Sequence, residues 1–286
     1  MLLKRLGGTI LVRDGVAVQS FGFSRHLPVG DPKISAEFLN RWGIDEICLL
    51  DISADRSQRG PDIEMIREVA SSAFVPLCYG GGVSTLDQVR QIIAAGADKV
   101  LVRSNLNPKL VNDVVDSFGA QALVACIDYT TDLDVANAPL DGVVVARENV
   151  VEQALLFEKQ GVGEVMIQSV DRDGMASGLD CQLIYEVADR LQIPVIAVGG
   201  VGTSAHVAEC LDATEASAVF VGNVLNHFEH SVMLMKKQLQ RLGHELRPSG
   251  RCSYELVPIS SDDRLLKRSE SYLDDLGFIK VEREVI

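Results

Sequence analysis

The stretch VPLCYGGGVST at residues 75–85 returns in the same pattern as IPVIAVGGVGT at residues 193–203. Each copy starts with an apolar run, continues into glycines and ends at a hydroxyl residue, which is typical of a buried strand leading through a tight loop into a helix. The same offset of 118 residues aligns GIDEICLLDIS at 43–53 with GVGEVMIQSVD at 161–171, and VLVRSN at 100–105 with AVFVGN at 218–223. One offset shared by three separate segments predicts a protein built from two similar halves.

Short apolar runs alternate with amphipathic segments as far as about residue 243. The predicted strands occupy residues 6–12, 46–51, 75–79, 99–103, 122–127, 164–169, 194–198 and 217–221. Helical periodicity lies between them, for example in ISAEFLNRWG, LDQVRQIIAAG and VVEQALLFEKQG. Eight buried strands that alternate with helices predict a parallel sheet closed into a (β/α)8 TIM barrel. We therefore expect an α/β barrel with two half-barrel repeats over residues 1–243 and a C-terminal extension over residues 244–286.

The composition argues against several classes of function. The 286 residues carry 40 acidic and 27 basic side chains, and the formal net charge of −13 disfavours nucleic acid and anionic membranes as partners. The N-terminal MLLKRLGG lacks the apolar segment of a signal peptide, and no apolar run approaches the length of about 18 residues that crosses a membrane. Six cysteines without C-x-x-C spacing predict reduced core thiols in a cytoplasmic protein. No pattern in the sequence indicates a metal site or a cofactor.

Two glycine loops predict anion sites at the carboxyl ends of the strands. Gly81 and Gly82 follow the third predicted strand and Gly200 follows the seventh, where glycine lets backbone N–H groups approach a phosphate and the next helix adds positive potential. Two such loops at repeat-related positions favour a substrate with two phosphates, although glycines also serve simple tight turns. Arg103 is a candidate for binding an anion. Two other roles stay open for it, since its side chain could cover the site or form a surface salt bridge. The candidate phosphate-binding residues are Gly81, Gly82, Arg103, Ser104, Gly174, Gly200, Gly222 and Asn223.

Four charged residues mark the starts of predicted strands, at the opposite end of the barrel. Arg5, Glu46, Lys99 and Glu164 stand at or just before strands one, two, four and six. Since alternate strands contribute to one interior layer, these side chains are expected to meet in a ring. Two positive and two negative charges neutralise one another, which makes partial burial tolerable. The ring is therefore interpreted as a polar gate, with four solvated strand-end charges as the alternative.

From residue 1 to about 243 the chain resembles the cyclase subunit of imidazole glycerol phosphate synthase. The stretches that carry the resemblance are KR at 4–5, GDP at 30–32, GIDE and LLDIS within 43–53, GGGV at 80–83, GADKV at 96–100, ACID at 125–128, SVDRDGMASG at 169–178 and GGVG at 199–202. The resemblance implies a barrel that receives ammonia from a glutaminase subunit at its bottom and closes an imidazole ring on a bisphosphate ribonucleotide at its top. It further implies that Asp128 is a catalytic acid and that Asp98 contacts the glutaminase. The ammonia gate that it implies consists of Arg5, Glu46, Lys99 and Glu164.

The chain departs from this family where the chemistry takes place. Leu11 stands at the position of the family's first catalytic acid, Gln19 at that of a lysine, and Arg103 at that of an asparagine. Leucine cannot transfer a proton, and losing one member of an acid–base pair typically costs on the order of 10²–10⁴ in rate. We therefore expect that efficient ring closure is lost. Asp51 and Asp173 are the acids that could compensate for Leu11.

With these departures the chain resembles the cyclase-like paralogues associated with surface-polysaccharide biosynthesis. In them a glutaminase and the barrel supply ammonia to an ATP-dependent sugar amidotransferase, which forms an amidine on an N-acetylated sugar. The resemblance thus implies an ammonia-receiving subunit of a glutamine-dependent amidotransferase that also binds a phosphorylated small molecule. Two alternatives stay open, namely a histidine-pathway cyclase and a non-catalytic scaffold that activates the glutaminase.

Overall fold

The computed structural model describes residues 3–54, 59–103, 107–132, 144–227, 230–247, 258–260, 264–266 and 271. The chain divides into two compact units, Met1–Cys252 and Ser253–Ile286. In the second unit, Ile259 and Leu265 form an antiparallel bridge. The larger part of the predicted C-terminal extension over residues 244–286 lies outside the described residues. The division predicted after residue 243 stays a prediction.

The first unit is built from strands and helices that follow each other along the chain. Its described residues form the strands β1 (Arg5–Arg13), β2 (Val16–Phe21), β3 (Arg25–Gly30), β4 (Glu46–Asp51), β5 (Leu77–Gly80), β6 (Lys99–Arg103), β7 (Leu123–Thr130), β8 (Val145–Ala146), β9 (Glu164–Ser169), β10 (Val195–Val198) and β11 (Ala218–Val221). They also form the helices α1 (Pro32–Arg41), α2 (Ile63–Ala70), α3 (Leu86–Ala94), α4 (Pro108–Phe118), α5 (Val150–Gln160), α6 (Cys181–Ala188), α7 (Ser204–Ala213) and α8 (Ser231–Arg241).

Eight of these strands form a closed parallel barrel. Strands β1, β4, β5, β6, β7, β9, β10 and β11 are hydrogen-bonded in chain order, and β11 pairs in parallel with β1. The predicted (β/α)8 TIM barrel is therefore confirmed. The strands begin at the end that we call the bottom face and end at the end that we call the top face.

A hairpin that the sequence analysis did not anticipate extends β1 beyond the barrel wall. Strands β2 and β3 pair antiparallel with each other, and β2 pairs antiparallel with the end of β1. The turn signal Asp14-Gly15 joins β1 to β2, and both residues adopt positive φ, at 52° and 80°. This is the backbone shape that two-residue hairpin turns require.

The two halves share their helix caps as well as their strands. Asp62 and Asp180, at equivalent repeat positions, accept hydrogen bonds from backbone N–H groups in the first turns of α2 and α6. Thr85 and Thr203 do the same for α3 and α7. Side-chain caps of this kind satisfy N–H groups that have no partner within the helix. The repeat seen in the sequence therefore extends to the local signals that start the helices.

The barrel interior is filled by side chains and is not an open pore. Helices and outward-facing strand residues form the larger hydrophobic core, while a second cluster occupies the inside of the barrel, which we call the bore. The bore cluster consists of Cys48, Leu50, Cys78, Leu101, Val124, Cys126, Met166, Ile196, Val198, Ala218 and Phe220, with Leu11 packed against it. The five described cysteines are free thiols. None of the described helices is long and apolar enough to cross a membrane.

Candidate functional site

Four charged side chains close into a ring across the bottom of the bore. Arg5 contacts Glu46 at 2.5 Å and Glu164 at 3.0 Å, while Lys99 contacts the same two carboxylates at 2.7 and 2.9 Å. Each acid therefore touches both bases, and all four side chains are largely buried. The structure thus brings these four side chains together, as expected. They are not four separate solvated charges at the strand starts.

The electrostatics of this ring hold its charges in place. Burial disfavours the charged form of Lys99, but the carboxylates of Glu46 and Glu164 outweigh it, so the pKa of Lys99 is raised above its ordinary value of 10.5. Because β1, β4, β6 and β9 each supply one member, the ring also links four strands around the barrel. The bottom of the bore is a neutral but strongly polar closure.

Two further acids lie at the bottom face. Asp98 is exposed, and its Oδ2 accepts a hydrogen bond from the Leu77 N–H at 2.8 Å. Asp45 is buried and forms an ion pair of 2.5 Å with Lys236, which attaches α8 to the barrel. The sequence analysis missed this pair, because the two residues are 191 positions apart in the chain and Lys236 lies in no recognisable motif. Asp98 is available to a partner at this face, whereas Asp45 is not.

The bore above the ring combines an aromatic ring, a hydroxyl group and thiols. The phenyl ring of Phe220 lies directly against Gly7, where a Cβ atom would overlap it. Thr9 Oγ1 is buried and has no hydrogen-bond partner among the described residues. Contact with Cys78, together with burial, raises the pKa of the Cys48 thiol well above 9.0. These groups keep the bore electrically neutral.

At the top of the bore, the Asp128 carboxylate forms a salt bridge with Arg103. This carboxylate is 2 % exposed and lies 3.4 Å from the Nε of Arg103, whose side chain is 31 % exposed. The Cys126 thiol also donates to Asp128 at 3.5 Å, and burial together with this carboxylate raises the pKa of Cys126. Leu11 faces the same interior and packs against the bore cluster. Arg103 therefore forms a salt bridge, which was one of the interpretations considered for it. Its partner is Asp128, the candidate catalytic acid.

The two acids considered as replacements for Leu11 have different surroundings. Asp51 is buried, and its Oδ1 accepts hydrogen bonds from Ser53 N–H, Ser53 Oγ and Ala54 N–H, which stabilises the turn after β4. Asp173 lines a cavity together with Leu11, and burial raises its pKa. Asp173 is therefore the candidate that shares the cavity with the missing acid, and Asp51 is occupied by a turn.

This cavity lies at the glycine loops of the second half and measures about 110 Å³. Gly174, Gly200, Gly222 and Asn223 line it, as the sequence predicted for a phosphate site. Gly200 has φ of +92°, and its carbonyl accepts from Gly178 N–H, so the loop packs closely against the 171–178 loop. We call this cavity the anion cavity.

The side chains next to the anion cavity are partly occupied by strand β2. The Asn223 amide accepts from Ser20 N–H and donates to the Ser20 carbonyl. Gln19, at the position of the family's lysine, donates to the Asn223 carbonyl at 3.4 Å. Because the Asn223 side chain is engaged with Ser20, the groups in this cavity that can bind an anion are mainly the backbone groups of the glycine loops.

The equivalent loop of the first half contains Gly81 and Gly82 at the end of β5. Gly82 has φ of +64° and lies against Gly60, where a Cβ atom would come within 2.9 Å of the Gly60 Cα. Ser104, the further predicted phosphate ligand of this half, lies outside the described residues. The described residues contain no cluster of His, Cys, Asp or Glu side chains suited to a metal ion.

The main feature that the sequence analysis missed is the direct pairing of Arg103 with Asp128. The signal was present, since the two residues end neighbouring parallel strands, β6 and β7, whose side chains alternate in and out of the bore. The pairing itself depends on the direction of a long arginine side chain, which strand periodicity does not determine.

Comparisons with known proteins identify the family of the barrel. Residues 5–231 match the family described as "Histidine biosynthesis protein". A Vibrio vulnificus protein, provisionally named imidazole glycerol phosphate synthase subunit hisF2, is 34% identical over 259 residues, which cover 89% of this chain and 95% of the relative. The imidazole glycerol phosphate synthase subunits HisF of Clostridium botulinum strain Langeland and Streptococcus sanguinis are 36% and 33% identical over 252 and 255 residues, covering 86% of this chain and all of each relative.

Proposed function

The chain belongs to the histidine biosynthesis protein family, among its HisF-type cyclase subunits, and from this premise we propose that it is the ammonia-receiving barrel of a glutamine-dependent amidotransferase. In this proposal a glutaminase docks at the bottom face, and ammonia passes the charged ring and the bore. The top face binds a phosphorylated small molecule but closes no imidazole ring efficiently.

The complete ring of Arg5, Glu46, Lys99 and Glu164 is the observation that carries the proposal. A ring in which each acid touches both bases can open by moving one side chain while the remaining charges stay paired. Between this ring and Asp128 the bore holds apolar side chains, neutral thiols, the Thr9 hydroxyl and the uncharged amide of Gln168, so it suits neutral ammonia better than ammonium. A scaffold without ammonia flow would require neither feature.

The top face supports the loss of ring closure. General acid–base catalysis requires groups that exchange protons with the substrate. Leu11 cannot do so, and Asp128 is held by Arg103 and the Cys126 thiol in a buried position. These two contacts engage the carboxylate that would otherwise face a substrate.

The final acceptor of ammonia follows from the resemblance alone. We keep as part of the proposal that an ATP-dependent sugar amidotransferase uses the ammonia to form an amidine on an N-acetylated sugar in surface-polysaccharide biosynthesis. The open top face, with its anion cavity, is where such a partner or its phosphorylated substrate would meet the outlet of the bore.

The second candidate function is the cyclase reaction itself, which the names of the relatives favour. One observation supports it beyond those names, since Asp173 lines the same cavity as Leu11 and has a raised pKa. A raised pKa makes a carboxylic acid a better candidate for proton transfer than an ordinary, fully ionised carboxylate. In this alternative Asp173 replaces the missing acid.

One reconstitution separates these functions. The barrel is mixed with a HisF-partner glutaminase, and glutamine hydrolysis is measured beside closure of the imidazole ring on the bisphosphate ribonucleotide substrate. We expect stimulated hydrolysis and ring closure lower by a factor on the order of 10²–10⁴ than with an ordinary cyclase subunit. Ring closure at an ordinary rate would favour the cyclase, and a failure to bind or stimulate the glutaminase would refute the ammonia-receiving function.

A further inference from the structure

We propose that the top face binds a phosphate monoester whose organic part is apolar, with the phosphate in the anion cavity and the apolar group in a second pocket between β1 and α1. This inference rests on the anion site of the proposed function and adds the class of ligand. It places the body of the ligand outside the barrel wall, away from the glycine loop of the first half.

The second pocket, which we call the side pocket, measures about 300 Å³. This volume reaches the range of roughly 300–1,000 Å³ in which small-molecule sites are found. Its walls come from β1, the β2–β3 hairpin, α1 and the short helical turn Asn223–Asn226. The side pocket therefore depends on the β2–β3 hairpin, and this hairpin is not one of the elements that close the barrel.

The side pocket and the anion cavity meet at the seam between the first and last barrel strands. The parallel pairing of β1 with β11 ends at Gly8 and Val221, although β1 continues to Arg13. Strand β11 ends at that pair, so β1 has no β11 partner above it, and both cavities contact the same residues on either side of the resulting gap. The shared residues are Thr9, Leu11, Val18, Gly222 and Asn226.

Two residues of the gap make this junction passable. Leu11 gives it an apolar surface, where the resemblance implies a carboxylate that would disfavour an apolar group. Gly222 leaves it open, since a Cβ atom there would meet nothing closer than the Thr9 carbonyl oxygen at 3.8 Å. The departure that removes an acid from the top face therefore also joins the two cavities with a surface that suits an apolar group.

The chemistry of the side pocket indicates an apolar occupant. Val29, Ile34, Phe38, Trp42 and Leu225 line it, and the rings of Phe38 and Trp42 contact each other at a tilt of 45°, with centroids 5.6 Å apart. Ile34 and Phe38 remain about half exposed, which leaves apolar surface uncovered on a helix that otherwise packs well.

Two polar residues of the side pocket, Asp31 and Ser35, are engaged with the start of α1. Asp31 accepts from Lys33 N–H at 2.7 Å and from Ile34 N–H at 3.1 Å, and the Ser35 hydroxyl donates to the Asp31 carbonyl. The Asp31 carboxylate is negative, so this pocket disfavours a phosphate. The anion cavity is therefore expected to bind the charged end of one ligand, and the side pocket its apolar end.

Trp42 makes the proposal directly measurable, because it is the single tryptophan of the chain. The full-length protein is titrated with inorganic phosphate, methyl phosphate, butyl phosphate and phenyl phosphate, and binding is followed by calorimetry and by Trp42 fluorescence. Butanol serves as the apolar group without a phosphate. Each methylene buried in the side pocket is expected to tighten binding by about fourfold.

A matched pair of variants locates the apolar group. Ile34→Gln changes the side pocket, whereas Leu156→Gln changes a residue of α5 with nearly the same exposure, 47 % against 49 % for Ile34. We expect Ile34→Gln to reduce the preference for butyl over methyl phosphate at least fivefold and to leave inorganic phosphate binding unchanged. Leu156→Gln is expected to change neither.

The outcomes are distinguishable. Tighter binding of butyl and phenyl phosphate with a change in Trp42 fluorescence, competed by inorganic phosphate, supports the proposal. Equal binding of methyl and butyl phosphate, or equal binding of butanol, overturns it while the anion site stands. No binding of inorganic phosphate refutes the anion site as well. A mass that doubles with concentration and returns to one chain in Ile34→Gln, without a response to phosphates, would assign the side pocket to a second copy of this chain.

Discussion

A single apolar residue changes the chemistry of the whole top face. Leu11 occupies a strand end at which a carboxylate would face Asp128, and Arg103 now provides the charge that Asp128 contacts. The two substitutions fit each other, because a lone buried carboxylate without a second acid or a cation would be costly. Leu11 and Arg103 are therefore best understood as a pair of changes around one retained acid.

For this reason Leu11→Asp alone is expected to restore little ring closure. Arg103 would still hold Asp128, and Gln19 would still stand where the family has a lysine. The double variant Leu11→Asp/Arg103→Asn should exceed either single variant. The measurement is ammonium-driven ring closure by the barrel alone on the bisphosphate ribonucleotide. Restoration of an ordinary cyclase rate by Leu11→Asp alone would contradict this account of Arg103.

Gly7 and Phe220 form a second matched pair, and here we expect a change in stability. Gly7→Ala places a methyl group inside the Phe220 ring, and overpacking of this kind costs about 1–3 kcal/mol of unfolding free energy. Phe220→Leu in the same chain should recover part of that loss. The control is Gly8→Ala, where the nearest atom, Leu39 Cδ1, lies at 3.1 Å and belongs to a flexible side chain. Urea unfolding is measured for the original chain, Gly7→Ala, Phe220→Leu, the double variant and Gly8→Ala, and strictly additive losses would refute the pairing.

Among the elements, those that the sequence predicted and those that it missed differ in burial. The strand predicted at 164–169 is Glu164–Ser169, and the one predicted at 6–12 is Arg5–Arg13, because a strand covered on both faces has a continuous apolar sequence. The hairpin strand Arg25–Gly30 is mostly exposed and gives no such signal. The side pocket was therefore beyond prediction, since it depends on this hairpin.

The repeated helix caps allow a matched prediction between elements. Asp180 caps α6 and also binds Arg147 through two contacts, of 2.8 and 3.3 Å, whereas its repeat mate Asp62 caps α2. Asparagine caps helices about as well as aspartate, so Asp62→Asn should change stability little. Asp180→Asn also loses the charge-assisted bonds and should cost about 1–2 kcal/mol near neutral pH.

The pH dependence of that difference follows from the pKa of Asp180. Burial alone would raise this pKa, but the hydrogen bonds from Arg147 outweigh burial and lower it below its ordinary value of 3.8. The stability that Asp180 contributes is therefore present above pH 3.8 and lost as the pH falls through the lowered value. The free energies of unfolding of the original chain and of Asp180→Asn should converge once the pH lies below the lowered pKa of Asp180. A difference that persists there would indicate that the charge is not the cause.

At the scale of the whole molecule, the barrel has two chemically different ends. The bottom holds a balanced ring of charges, the bore is neutral, and the top offers backbone groups to an anion. The sequence predicted this polarity because strand starts and strand ends fall on opposite faces of any parallel barrel. The side-chain pairings within each end depend on rotamers and could not be read from the pattern.

The charged ring is expected to behave as one unit in stability measurements. Lys99→Met leaves two carboxylates with Arg5 alone, and breaking a buried set of this kind costs up to about 3–5 kcal/mol. Glu46→Gln/Lys99→Met should lose less than the sum of its single variants, because one charge of each sign is removed. Since the pKa of Lys99 is raised, its contribution is present below pH 10.5 and declines as the pH rises through the raised value. Additive losses without this alkaline dependence would refute a coupled ring.

The last prediction concerns which end of the barrel binds the glutaminase. If docking takes place at the bottom face, Asp98→Asn should weaken the complex about tenfold, equivalent to about 1.4 kcal/mol, because it removes one exposed charge from that face. The fold should be preserved, since the asparagine oxygen can still accept the hydrogen bond from Leu77 N–H. Asp14→Asn is the matched control, because Asp14 is an exposed acid of the β1–β2 turn at the opposite end. Titration of glutaminase stimulation gives both affinities. An equal effect of the two variants would mean that general acidity of the barrel attracts the glutaminase, and docking over the charged ring would then be refuted.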